Sequence, residues 1–198
     1  MKKTGDEYFD SEEFRELLAE YENAMETGMP VFMDADELSE IADYYQMNSR
    51  FDEAGAAIDL ALSLSPGAVA PLTYKIHEAL WMGNVEEARS FLDQIIDKED
   101  PDYVYDKAEI MLAEEQPEEA DEYLRKEFKK VPPEEHQDFL VDVANIFADY
   151  DYPEQAMMWM SRAHQEDSSE FKELMGRTLF GLGKHKDSGR IFNELYLC

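Results

Sequence analysis

The chain has 198 residues, 18 Lys and Arg against 47 Asp and Glu, and a formal net charge of −29. A surface this acidic excludes DNA and RNA as expected partners, because phosphate binding needs basic side chains to release counterions, and it disfavours the anionic face of a membrane. An apolar fraction of 44%, with 12% aromatic residues, argues for a packed core rather than disorder.

The first element expected is a helix over residues 11–27. Ser11 stands as its cap, Phe14, Leu17, Leu18, Tyr21 and Met25 form one apolar stripe, and Gly28 and Pro30 end it. Residues 1–34 read as a tail and capping helix, or as the second helix of a decayed sixth unit. Helices then come in pairs: 35–48 and 51–63, 69–82 and 85–98, 102–115 and 117–129, 134–150 and 153–165, 169–182 and 185–196. Within the pairs lie Asn48-Ser49, Gly83-Asn84, Gln116-Pro117, Asp151-Tyr152-Pro153 and Gly183-Lys184. Gly and Asn accept the left-handed conformation that ends a helix, and Pro opens the next one. Acids enter the first turn of the second helix, at Asp52-Glu53, Glu86-Glu87, Glu118-Glu119 and Glu154, where the helix dipole favours them. Pro66, Pro101 and Pro132 close three pairs. No strand pattern occurs, so the expected fold is all-α with about eleven helices.

The pairs are periodic. Ala42 and Ala54, Ala108 and Ala120, Ala144 and Ala156, and Gly176 and Ser188 are small residues twelve positions apart, and Ile76 and Ala88 keep the spacing with one large member. Successive pairs are offset by 34, 32, 36 and 32 residues. Antiparallel helices approach closely only where side chains are small, and each hairpin must bury its large residues against its neighbours. Those large residues recur in register: Ile58, Leu92, Leu124, Met160 and Phe192 four positions after the second small residue, and Leu38, Leu72, Val104 and Leu140 four before the first. Tyr45, Met111, Phe147 and Leu179 follow the first by three.

This pattern resembles the tetratricopeptide repeat (TPR) family over about residues 35–198. The first unit carries it best, with Leu38, Ile41, Ala42, Tyr45, Phe51, Ala54, Ile58, Ala61 and Pro66. Departures fall at Ile76, at Glu127, at the missing closing Pro of the fourth unit, and at Ser188 and Leu195 in the fifth. The resemblance implies a right-handed superhelical solenoid of stacked antiparallel helix pairs. Its units run 35–68, 69–100, 101–136, 137–168 and 169–198 as one continuous domain. It also implies a concave groove lined by the first helices, holding a peptide or helix of a partner protein. The lining columns map to Ser39, Asp43 and Met47; Thr73, His77 and Trp81; Tyr105 and Glu109; Val141, Asn145 and Asp149; and Glu173 and Arg177. Some family members clamp a C-terminal carboxylate with basic groove residues. Here the key columns hold Ser39, Thr73, Tyr105, Val141 and Glu173, leaving only Asn145 and Arg177, so an acid-lined groove suits a basic or mixed basic–apolar segment instead. Trp81 reads either as an anchor for that segment or as a residue packed over the Gly83 turn.

No catalytic set emerges. His77, His136, His164 and His185 lie in different helices without a second ligand at helical spacing, and residues 176–183 carry Leu182 where a phosphate loop needs Lys. Neither a metal nor a cofactor is expected, and most of the eleven methionines fall in core columns. Residues 1–7 place acids behind two lysines, unlike a secretory signal. The longest uncharged run, 60–74, is broken by Pro66 and Pro71, so no membrane span is expected. The single cysteine, Cys198, fits a reducing compartment, and a cytoplasmic location is expected.

The leading expectation is a non-enzymatic scaffold that binds another protein; an enzyme accessory subunit is the remote alternative. A second possibility is homodimerisation. Net charge by successive fifties is −10, −7, −10 and only −2 for residues 151–198, where the last helix carries Ile191, Phe192, Leu195 and Tyr196 with nothing after it to cover them.

Overall fold

A computed structural model describes residues 8–164 and 168–196. Among these, eleven α-helices occur: α1 Glu12–Thr27, α2 Ala35–Met47, α3 Phe51–Leu64, α4 Val69–Trp81, α5 Val85–Leu92, α6 Pro101–Ala113, α7 Pro117–Glu127, α8 His136–Asp149, α9 Pro153–Met160, α10 Ser169–Gly181 and α11 His185–Tyr196. No strand is present among the described residues.

The helix starts follow from local chemistry. Ser11 Oγ accepts from the Phe14 amide at 3.1 Å, and Ser168 Oγ from the Phe171 amide at 3.1 Å. Asp34 and Glu37 form a reciprocal capping box at the head of α2. Pro101, Pro117 and Pro153 each sit in a first turn, where a missing N–H costs nothing.

The turns inside the five pairs are alike. Ser49, Gly83, Glu115, Asp151 and Gly183 all have φ between 59° and 73°. In each, the next residue's amide reaches back five positions, as Arg50 does to the Tyr45 carbonyl at 2.8 Å and Tyr152 to Phe147 at 2.8 Å. The left-handed residue's own amide reaches back three, which completes a Schellman motif. Three of these five positions are not glycine, so the hydrogen-bond pattern, not side-chain freedom, holds the backbone there.

Two helices are shorter than their expected spans. α5 stops at Leu92, not near 98. After it the Gln94 and Ile95 amides bond three residues back, and the Ile96 amide turns to the Gly67 carbonyl at 3.1 Å. Gly67, at φ 94°, is needed there, because a Cβ would lie 2.8 Å from the Ile96 side chain. α9 stops at Met160, where the amides of Arg162 and Ala163 also bond three residues back; the expected end at 165 lies outside the described residues.

Packing joins neighbours. Each pair packs on itself, and α2 touches α4, α4 touches α6, α6 touches α8 and α8 touches α10. Ala42, Ala54, Ala88, Ala108, Ala120, Ala144 and Ala156 are fully buried, as are Ile76, Ile58 and Leu124. At the last pair the small residue allows close approach, since a Cβ on Gly176 would stand 2.7 Å from the Phe192 ring and force it to shift. The core divides into three clusters, running from Phe14 to Ala61, from Leu72 to Ile110 and from Val104 to Leu174.

Candidate functional site

Polar contacts link α4 to α6, α6 to α8 and α8 to α10, like rungs. Thr73 Oγ1 donates to Asp106 Oδ2 at 2.7 Å, and His77 Nε2 lies 3.0 Å from Asp106 Oδ1 and 3.8 Å from Glu109 Oε1. One step on, Tyr105 Oη donates to Asp142 at 3.2 Å and Tyr150 Oη to Glu109 at 3.3 Å. Next, Arg177 donates to Asp149 at 2.6 Å and to Asn145 Oδ1 at 2.7 Å. Residue numbers rise together from α4 to α6 and from α6 to α8, so these first helices run parallel.

Between α2 and α4 lies a depression of about 750 Å³. Ser39, Asp43 and Gln46 form one wall, and Ala70, Thr73, Tyr74, His77, Glu78 and Trp81 the other; Phe51, Met82 and Asp102 complete it. The α4 wall is one helical face, spaced by three and four residues. Trp81 is 87% exposed, so it does not pack over the Gly83 turn; Phe51 and Met82 are exposed beside it at 65% and 66%.

The acids here are perturbed by their setting. Asp43 touches solvent yet sits among protein walls, and this desolvation, with the nearby Glu40 charge, raises its carboxyl above the usual range while His77 opposes the shift. Burial likewise raises Glu109, against the pull of His77. The bond to Asp106 raises His77, reinforced by the Glu109 charge and opposed by desolvation. Burial and Asp142 raise Tyr105.

Of the residues expected to line a groove, Ser39, Asp43, Thr73, His77 and Trp81 share this depression. Ser39 is buried, however, and its hydroxyl donates to the Ala35 carbonyl at 2.8 Å, so it is committed to its own helix. Met47 is exposed outside the depression. Tyr105 and Glu109 belong to the next step, Val141 is half-buried against the core, and Glu173 is exposed. Asn145 and Arg177, the two residues left from the carboxylate-clamp columns, bind each other, which spends the guanidinium internally. On α11, the Phe192 ring packs over Gly176, and Ile191 and Leu195 are half-buried; the Tyr196 side chain lies outside the described residues.

Sequence reasoning missed Asp106, which is 1% exposed and joins Thr73 to His77. An acidic stripe at Asp102, Asp106 and Glu109 on one helical face is the signal that marks it. Among the described residues no three His, Cys, Asp or Glu side chains are grouped to hold a metal ion, and no helix is long and apolar enough to cross a membrane. No family model matches the chain, and no curated protein or solved structure matches it at a significant level.

Proposed function

We propose that this chain is a TPR-like stack of helical hairpins, a non-enzymatic scaffold that binds a basic–apolar segment of a partner protein in the depression between α2 and α4. The observation that carries the reading is the pairing, in one depression, of acidic walls with a tryptophan left 87% exposed. An exposed indole has surface to bury on a partner, and it is the residue type that dominates binding energy where it does so. Parallel first helices joined by polar rungs and five turns of one design support the stacked architecture. The charge of −29 favours basic partners and speeds their encounter, while opposing association between copies of the chain. A reducing, cytoplasmic setting belongs to this reading and rests on the single cysteine.

The test is co-purification from native extract, followed by titration of the captured partner. Binding should weaken steeply with added salt, since exposed charges are screened within about 8 Å at physiological ionic strength. Trp81→Ala should weaken it further with far-UV dichroism unchanged. Salt-insensitive binding that survives Trp81→Ala would overturn the assignment of this depression.

A further inference from the structure

We infer that the occupant of the depression is an arginine-bearing amphipathic segment, with its guanidinium between the Trp81 ring and the Asp43 carboxylate and a bulky apolar residue one helical turn away covering Phe51 and Met82. This rests on reading the depression as a binding site.

The depression is polar at one end and apolar at the other. Trp81 and Met82 close α4 and Phe51 opens α3, which places the apolar side chains at the C-terminal ends of α2 and α4. Asp43 and His77 lie one turn back, and Asp102, in the first turn of α6, lies further toward the other end. Four residues of helix, from His77 to Trp81, span about 6 Å. An occupant must therefore carry its cation and its apolar residue about that far apart, four residues apart on a helix or two on an extended chain. A volume of about 750 Å³ takes several side chains and is far too large for a bare ion.

Asp43 is the acid with room for a new partner. Glu78 is engaged by Lys75 at 3.4 Å, and His77 is engaged by Asp106 and Glu109. No described side chain donates a hydrogen bond to Asp43, and its carboxyl is raised by desolvation, a penalty that an incoming cation offsets.

The chain's other tryptophan shows what satisfies such a ring. Trp159 is fully buried, and its Nε1–H donates to Asp121 at 2.9 Å. Arg162 and Arg125 lie 4.9 and 5.7 Å from the ring centroid, and Arg125 also donates to Asp121 at 2.6 Å. Trp81 has neither a stacked cation nor an acceptor among the described residues, and the occupant supplies the missing cover. Arginine suits this better than lysine. Its guanidinium is flat, stacks on indole, forks onto a carboxylate and gives up water more easily than an ammonium.

The experiment titrates the full chain with labelled Ala/Gln-rich helical peptides of about 15 residues, long enough to hold some helix in water. The parent peptide carries one Arg and a Leu four residues later. Its variants replace Arg by citrulline, replace Arg by Lys, or move the Leu by two positions. Anisotropy gives Kd. Because Trp159 is already buried, a blue shift of tryptophan emission reports Trp81. The Arg peptide should bind with a blue shift, the citrulline peptide about tenfold more weakly and the Lys peptide about threefold more weakly. The displaced-Leu peptide should lose the blue shift. Asp43→Asn and Trp81→Ala, each checked for unchanged helical dichroism, should erase the Arg-over-Lys preference. Equal binding of the Arg and Lys peptides with a blue shift would overturn the arginine assignment while leaving the depression a binding site. If no peptide alters anisotropy or emission, both readings fall.

Discussion

Asp106→Asn separates the charge of the rung between α4 and α6 from its shape. Asn keeps the volume, and its oxygen still accepts from Thr73, but its amide then faces His77 Nε2, where the imidazole N–H now sits. Hydrogen bonds to a charged group contribute roughly 1 kcal/mol more than neutral ones. Two such bonds are altered, and the His77 side chain is 51% exposed, so solvent screens its share. The expected loss is about 1–2 kcal/mol, because Asn also avoids burying a charge. The pH dependence has a definite sign. His77 is held above its ordinary value, chiefly by the Asp106 bond, so its contribution is fully present below about pH 6.5 and disappears as pH rises through the raised folded value. The variant's deficit should thus be larger near pH ~6 than near pH ~8.5, and the His77 midpoint should fall. Urea unfolding at both pH values, with an NMR titration of the imidazole, measures this. An unmoved midpoint, or a deficit equal at both pH values, would refute the electrostatic account.

Ala120 is fully buried where α6 and α7 touch, so Ala120→Leu should overpack that contact by about 1–3 kcal/mol and lower the melting temperature by several degrees. Gly67→Ala adds a Cβ 2.8 Å from Ile96 at positive φ and should cost about 1–3 kcal/mol, whereas Gly83→Ala, with open space, should cost only the backbone strain of about 1 kcal/mol. Equal losses in the two variants by denaturant titration would show that the Ile96 contact is not rigid. Arg177→Met breaks exposed bonds to Asp149 and Asn145 and should cost no more than about 1 kcal/mol in a thermal melt.

The helical architecture was legible because it is written in short-range periodicity. Alanines twelve apart, with large residues three and four positions away, leave few alternatives for their burial. The ends of α5 and α9 were not legible in the same way. Gln94, Ile95 and Ile96 have no breaker among them, and α5 stops because the Ile96 amide finds Gly67, a partner 29 positions away in sequence. The depression was partly legible: helical spacing puts His77 and Trp81 on one face of α4, and the TPR resemblance implied that Asp43 on α2 faces them. Asp106 was overlooked: the stripe Asp102, Asp106 and Glu109 marks its helical face, but only its cross-helix partners set it apart from solvated acids. In a chain with 47 acids, composition hides the ones that matter.

The division of the core into three clusters bears on how the molecule opens. The depression lies across the seam between the first cluster and the middle one, and Leu62 is among the side chains that pack against both. Each cluster is a natural cooperative unit, and the middle one is the smallest among the described residues, so α4 and α5 form the segment most easily released while the flanking units persist. A ligand gripping α2 and α4 together would add a further link, beside Leu62, between the first cluster and the middle one. Its binding free energy would then appear as slowed amide exchange in α4 and α5, well beyond the residues it touches.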